Sequence, residues 1–326
     1  MKAFIQPIEI HKFIKERWVS MLKWIILLAA FSFLTYKFIT FNQYNQFLIH
    51  WKSISPSQFW WLIGVLALLP LNWLLEAIKW RKLVSKVQEI NINNSIKGVL
   101  AGISTGFFTP NRVGELVGRV IYLDAEKRKA GVTLSVVNSL SQNLVMTLIG
   151  VPACFLYFNR AATKIEINSA SYLTVLISCL LILGLVYFKL PQLSRLFKQS
   201  RYSEKIKEFT YCLNDFNKQD LFQIMFISLC RFITFSLQFF LMLRFFGVDL
   251  TAIQALIAIP TTYLFVTYTP SLAFSEPAVR SSYAVIVMGA FSGQVVGIAL
   301  AGVCIWLVNF VIPMLIGSVI LVRKRA

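Results

Sequence analysis

The sequence predicts an all-α polytopic membrane protein: about six spanning helices plus two Pro-broken hairpins, re-entrant or short and paired, in an inverted-topology repeat. Three observations lead there. Hydrophobic residues make up 57% of the 326-residue chain and charged residues 14%, with 28 Phe and 8 Trp, which excludes an ordinary soluble domain. Apolar runs of the ~20 residues needed to cross a bilayer recur along the chain. Two further apolar regions are interrupted by the same polar spelling. Thr109-Pro110-Asn111-Arg112-Val113-Gly114-Glu115-Leu116-Val117-Gly118-Arg119 reads Thr-Pro, a short gap, then Glu-x-x-x-Arg. Thr269-Pro270-Ser271-Leu272-Ala273-Phe274-Ser275-Glu276-Pro277-Ala278-Val279-Arg280 repeats that order.

In chain order, residues 1–17 are a polar, basic N-terminus expected in the cytoplasm. The run 18–40 follows with no small-residue cleavage site, so it reads as a retained first span. Further spans are expected at 57–78, 131–158, 170–188, 221–246 and 294–321. The regions 95–122 and 251–293 are the broken hairpins, because Pro110 and Pro270 each interrupt a helical run. The whole of 1–326 reads as one integral membrane domain, with 57–158 a first repeat and 221–321 a second. Between them lies a cytoplasmic loop, 189–220, whose Ile206, Phe209, Leu213 and Phe216 share a helical face. That pattern suits an amphipathic helix on an anionic leaflet, although a solvated linker accounts for the same composition.

The net charge of +18 concerns orientation, not nucleic acid, because the basic residues cluster between apolar runs. Clusters occur within 2–17, 79–97, 127–129, 189–218 and 323–325, whereas the opposite flanks carry only Lys52, Arg160, Lys164 and Arg244. By the positive-inside rule both termini are cytoplasmic. The first hairpin then has both ends inside and the second has both ends outside, so the Thr-Pro tips are expected to meet near the midplane.

Glu115–Arg119 and Glu276–Arg280 are spaced i, i+4 with the glutamate first, the better order for a helical ion pair. A helix restarting after a proline also points free N–H groups and its positive dipole end inward, toward a phosphate or carboxylate. Two readings are open. In one, each glutamate neutralises its own arginine and nothing more. In the other, Arg112, Arg119 and Arg280 hold an anionic headgroup while Glu115 and Glu276 act as counter-ions or carry a coupling proton. Ionisable groups at membrane depth are costly, and their recurrence in both halves favours the second reading. Arg231 lies about ten residues into its span, too deep to snorkel, so it needs Glu115, Glu276, Glu76 or a carbonyl as partner.

Asn72 and Glu76 share a face of the 57–78 span, though Glu76 can also pair with Lys79 or Arg81. Ser135, Asn138, Ser139 and Gln142 form a polar stripe suited to interhelical hydrogen bonds or to lining a cavity. Gly98, Gly102 and Gly106, like Gly289, Gly293 and Gly297, recur at the period of close helix packing. The five cysteines show no paired spacing, and the two histidines, His11 and His50, sit in polar flanks. With no phosphate-cradling Gly-rich loop either, no metal, cofactor, ATP site or catalytic residue is expected, and the chain does not read as an enzyme.

At its two motifs the chain resembles the flippase-like membrane domain of bacterial lysylphosphatidylglycerol synthases and their stand-alone homologues. That family shows Pro-Gly-Arg-x-Gly-Glu-x-x-x-Arg in its first half. Here Pro110, Arg112, Gly114, Glu115 and Arg119 match, with Asn111 in place of the first glycine. The family's second motif is a proline followed by a Gly-rich stretch ending in glutamate. Pro270 and Glu276 are kept, but Leu272, Ala273 and Phe274 replace the glycines.

The resemblance runs from about the second span onward and implies a lipid-translocating protein of the bacterial inner membrane. Because the soluble aminoacyl-transferase domain is missing from this sequence, lysyl transfer is not expected. The function expected is to bind an anionic lipid headgroup, phospholipid or polyprenyl-phosphate-linked, between the hairpins and move it between leaflets. The alternative, drawn from relatives linked to glycosyltransferases, is a non-transporting partner of an envelope glycosyltransferase or lipid-modifying enzyme.

Overall fold

Every described element is helical, as so apolar a chain requires once water is unavailable to satisfy its backbone. The computed structural model describes residues 54–107, 109, 112–161, 169–192, 211–271 and 275–323. The basic N-terminus, the expected 18–40 span, Pro110 and most of the 189–220 loop lie outside the described residues.

In chain order the helices are α1 (Phe59–Val84), α2 (Ile92–Gly106), α3 (Gly114–Arg119), α4 (Arg128–Ala161) and α5 (Ser169–Phe188). Then come α6 (Lys218–Phe245), α7 (Ala252–Tyr268), α8 (Glu276–Met288), α9 (Val295–Trp306) and α10 (Ile312–Arg323). A π-helical turn, Leu307–Val311, fuses α9 to α10. Four helical runs among the described residues are long and apolar enough to cross a membrane: Pro56–Val84, Ala125–Asn159, Lys218–Phe245 and Val295–Arg323. They coincide with four of the expected spans, and α5 coincides with a fifth.

The two interrupted regions fold as helix–break–helix units: α2 with α3, and α7 with α8. Their longest arm is the 17-residue α7, short of the ~20 residues a span needs. Asn91 starts α2 by accepting from the Asn94 N–H, and a reciprocal Thr251–Gln254 box starts α7. Lys82 on α1 and Lys86 in the turn after it pair with Asp220 at the start of α6 (3.2 and 2.8 Å), so these helix ends lie side by side. The first hairpin leaves α1 from that end, and the second leaves α6 from the opposite one. After α3 a 3-10 turn, Val120–Tyr122, brings the Asp124 N–H onto Gln88 Oε1 (3.0 Å), so the first hairpin returns to where it began.

Two apolar cores share the bundle. One gathers Val65 and Leu69 with α6, α7, α8 and α9. The other gathers Trp80 and Leu83 with α2, the start of α4 and the Phe310–Met314 region. The described end of the 189–220 loop departs from expectation. Phe216 is packed into this second core with Cys212 and Leu221 instead of facing a leaflet. The reason is the capping box at Asn217–Asp220, which starts α6 directly behind it.

Candidate functional site

The boundary between the two cores is polar on every long helix. It falls at Asn72 and Glu76 on α1, Asn138 and Gln142 on α4, Ser228 and Arg231 on α6, and Asn309 in the π-turn. A cavity of about 600 Å³ opens in this layer. Arg112, Glu115, Arg119, Arg231, Glu276 and Arg280 all line it, as does Pro270. Residues of the two motifs, up to 164 positions apart where Arg112 meets Glu276, are thereby brought to one place.

Glu76 is the hub. Its Oε1 accepts from Asn138 Nδ2 (2.8 Å) and pairs with Arg119 Nη1 (2.6 Å), and its Oε2 pairs with Lys79 Nζ (3.0 Å) and Arg231 Nη1 (3.1 Å). Arg231 also donates to Asn72 Oδ1 (3.0 Å) and Gln142 Oε1 (3.3 Å). Asn72 in turn donates to Asn309 (2.9 Å), which ties the π-turn to α1. Of the partners foreseen for Arg231, Glu76 is the one the fold supplies.

From the hub, ion pairs run across both hairpins. Arg119 reaches Glu115 (3.2 Å), and Arg112 lies 3.8 Å from that same glutamate. Arg112 then places Nη2 on both oxygens of Glu276 (2.5 and 2.6 Å), and Arg280 completes the chain on Glu276 (3.1 Å). The tips of the two hairpins thus meet through Arg112 and Glu276. Arg112 also sets its guanidinium 3.9 Å from the Phe310 ring. Its φ of +58° is the left-handed region, unique among described non-glycine residues and costing about 1 kcal/mol, so surrounding contacts must hold it. Counting Lys79, five cations face three carboxylates, a formal excess of two positive charges. Buried Arg280 Nε, Asn138 Oδ1 and Trp306 Nε1 have no hydrogen-bond partner, and all three residues line the cavity.

Glycines let the first hairpin close. A Cβ on Gly102 would stand 2.7 Å from Arg119 Cγ, one on Gly106 2.5 Å from Glu115 Cγ, and one on Gly98 3.0 Å from the Arg119 carbonyl. The every-fourth-residue glycines therefore form the bed on which Glu115 and Arg119 lie. The second triplet differs, since α8 ends at Met288: Gly289 and Gly293 lie in the turn before α9, with only Gly297 on that helix. There Gly302 does the packing, against Ser281 Cα at 3.0 Å.

Two expectations need correction. Each short arm lacks one of the first-turn N–H groups that its restart after a proline was expected to offer. The Gly114 N–H already donates to Thr109 Oγ1 (2.7 Å), and α3 has only six residues, too few for a large dipole. In α8, Pro277 has no N–H, and Glu276 itself occupies the positive first turn. The charge in the cavity is supplied by side chains. Lys79, counted with the cytoplasmic basic cluster and offered as a partner for Glu76, does pair with that glutamate but is fully buried rather than at the helix's wet end. The hub was legible as Asn72, Glu76 and Lys79 at i, i+4 and i+7, one stripe on an otherwise apolar helix.

The Ser135–Gln142 stripe divides. Asn138 and Gln142 join the ion cluster, whereas Ser139 bonds back to the Ser135 carbonyl (3.2 Å). All five cysteines are free, and burial pushes the Cys212 thiol up to about 11, so it is no ready nucleophile. Among the described residues no group of His, Cys, Asp and Glu forms a metal site.

Fold and site together define a polytopic α-helical membrane protein with a charged cavity inside its apolar bundle. The family model for the lysylphosphatidylglycerol synthase TM region matches residues 20–317, and the chain belongs to that family. No curated protein and no solved structure matches it.

Proposed function

We propose that the chain is a lipid translocator of the bacterial inner membrane, with both termini cytoplasmic, and that it catalyses no reaction of its own. An anionic headgroup enters the cavity and is held by Arg112, Arg119, Arg280 and Arg231. Glu115 and Glu276 act as counter-ions, releasing their arginines as the ligand's charge replaces theirs. One observation carries this reading: four arginines and three glutamates, with a surplus of positive charge, line a cavity midway along apolar helices. Such a cluster is costly unless the site uses it. Attachment of the hairpins at opposite ends of the bundle supports an inverted arrangement whose tips part alternately toward either leaflet.

Native mass spectrometry of the purified protein tests the reading, with an Arg112→Gln/Arg280→Gln variant alongside. One anionic lipid retained by the wild type and lost from the variant is the expected result. Bulk lipid in both would overturn it. The motifs would then be structural, and the chain a scaffold for an envelope glycosyltransferase.

A further inference from the structure

One helical run, Val295–Arg323, grips both hairpins. Its first half, α9, packs on the second hairpin. A Cβ on Gly302 would stand 3.0 Å from Ser281 Cα of α8, and Ser281 Oγ donates to the Ala299 carbonyl (3.2 Å). Its second half, α10, packs on the first hairpin. Ser104 Oγ of α2 donates to the Met314 carbonyl (2.6 Å), and a Cβ on Gly317 would overlap the Leu100 carbonyl. Helices this close, backbone against backbone, shift as one body, so each half moves with its own hairpin. An unbroken α-helix from α9 to α10 would therefore hold the hairpins at one fixed separation.

The run is broken between the two grips. Leu307–Val311 is a π-turn, whose i→i+5 bonds interrupt the α-helical ladder. Just beyond it, Pro313 has no N–H for the Asn309 carbonyl four positions back, and its ring crowds that oxygen. Bends in long helices fall at such places. The turn also reaches the charged cluster twice. Phe310 meets the Arg112 guanidinium at 3.9 Å and stacks on Phe107 at 5.8 Å, both from the first hairpin. Asn309 accepts from Asn72 (2.9 Å), whose Oδ1 accepts from Arg231 Nε (3.0 Å).

Resting on the translocator reading above, we propose that the π-turn is the joint about which the two hairpins part, with Asn309 and Phe310 as its positioning residues. Bending there carries α9 and the second hairpin away from α10 and the first, and opens the Arg112–Glu276 tie. The same bend draws Phe310 from Arg112 and Asn309 from Asn72, so Arg112 and Arg231 come free as the tips separate. Opening the cavity and releasing its cations become one motion.

The test places spin labels on the full chain in nanodiscs of dioleoylphosphatidylcholine, with and without dioleoyl phosphatidate, in a background lacking the five native cysteines. One pair, Val117→Cys and Ile286→Cys, reports hairpin separation from exposed positions on α3 and α8. The other, Val296→Cys and Val319→Cys, spans the joint from exposed positions on α9 and α10. Each pair is expected to show two distances, and both pairs to shift between them in step when phosphatidate is present. Pro313→Ala, which returns the missing N–H, is expected to hold both pairs at one distance in either disc. Phe310→Leu is expected to favour the longer hairpin distance about tenfold without phosphatidate, the scale of one cation–π contact. An unchanged ratio there removes Phe310 as a positioning residue. Hairpin distances that switch while the 296–319 distance stays fixed overturn the joint and leave the translocator reading standing, as does full switching in Pro313→Ala. A single hairpin distance in both discs overturns the translocator reading, and the joint falls with it.

Discussion

At the scale of single residues, Glu76 has the most at stake. Three cations pair with its one carboxylate, which is 2% exposed. Glu76→Gln keeps the shape and removes the charge, leaving Lys79, Arg119 and Arg231 facing one another. Breaking a buried pair in this way costs about 3–5 kcal/mol. Glu115→Gln costs less, because Arg119 keeps Glu76 as its stronger partner and Glu115 is itself more exposed. The thermal midpoint in detergent is therefore expected to fall several times farther for Glu76→Gln than for Glu115→Gln. Equal shifts would remove Glu76 from the centre of the network. The sequence announced the i, i+4 pairs, and both form. It did not announce that Glu276 sits closer to Arg112 than to Arg280, since a contact across 164 positions leaves no local pattern.

At the scale of elements, the hairpins were legible because proline stops a helix wherever it falls and the apolar period resumes beyond it. Their inequality was not legible. The return arm α3 is six residues long and gives way to a 3-10 turn, whereas α8 runs for thirteen. The π-turn at Leu307–Val311 also left no signal, since its residues suit an ordinary span; such turns gather at functional positions, and this one brings Asn309 and Phe310 to the cavity. Close packing of α2 on α3 is what holds Glu115 and Arg119 in place. A methyl on Gly118 would lie 2.0 Å from Thr105 Oγ1 and 2.7 Å from the Ala101 carbonyl, contacts that cannot relax by moving a side-chain end alone. Gly118→Ala is expected to cost about 1–3 kcal/mol by overpacking and to lower anionic-lipid retention by tilting Arg119 out of the cluster. Gly293→Ala, with no atom within 4 Å of the added carbon, is expected to leave both unchanged. Retention that survives Gly118→Ala would mean that arm spacing does not set the arginine geometry.

At the scale of the whole molecule, the polar layer between the two cores explains why an apolar chain tolerates so many buried charges. Each core packs mainly around one hairpin, and the boundary between them is where neither can exclude polar groups without help from the other. The length of the spans and the two interrupted helical units were readable from hydropathy and proline. Which faces the long helices turn inward was not, because a helix that is apolar all round has no stripe to orient it. The arrangement carries one further consequence. Lys129 opens α4 at the end where Lys82 meets Asp220, and Asp249 follows α6 at the other end; both are exposed. If the bundle crosses the membrane as the basic clusters direct, these two positions lie on opposite sides. Single cysteines at Lys129 and Asp249, in a background lacking the five native ones, should react with a membrane-impermeant maleimide from opposite faces of oriented vesicles, Lys129→Cys from the cytoplasmic face. Labelling of both from one face would leave the hairpins entering from the same leaflet. The Arg112–Glu276 tie could not then separate two alternately open halves, and the translocation cycle would have no structural basis.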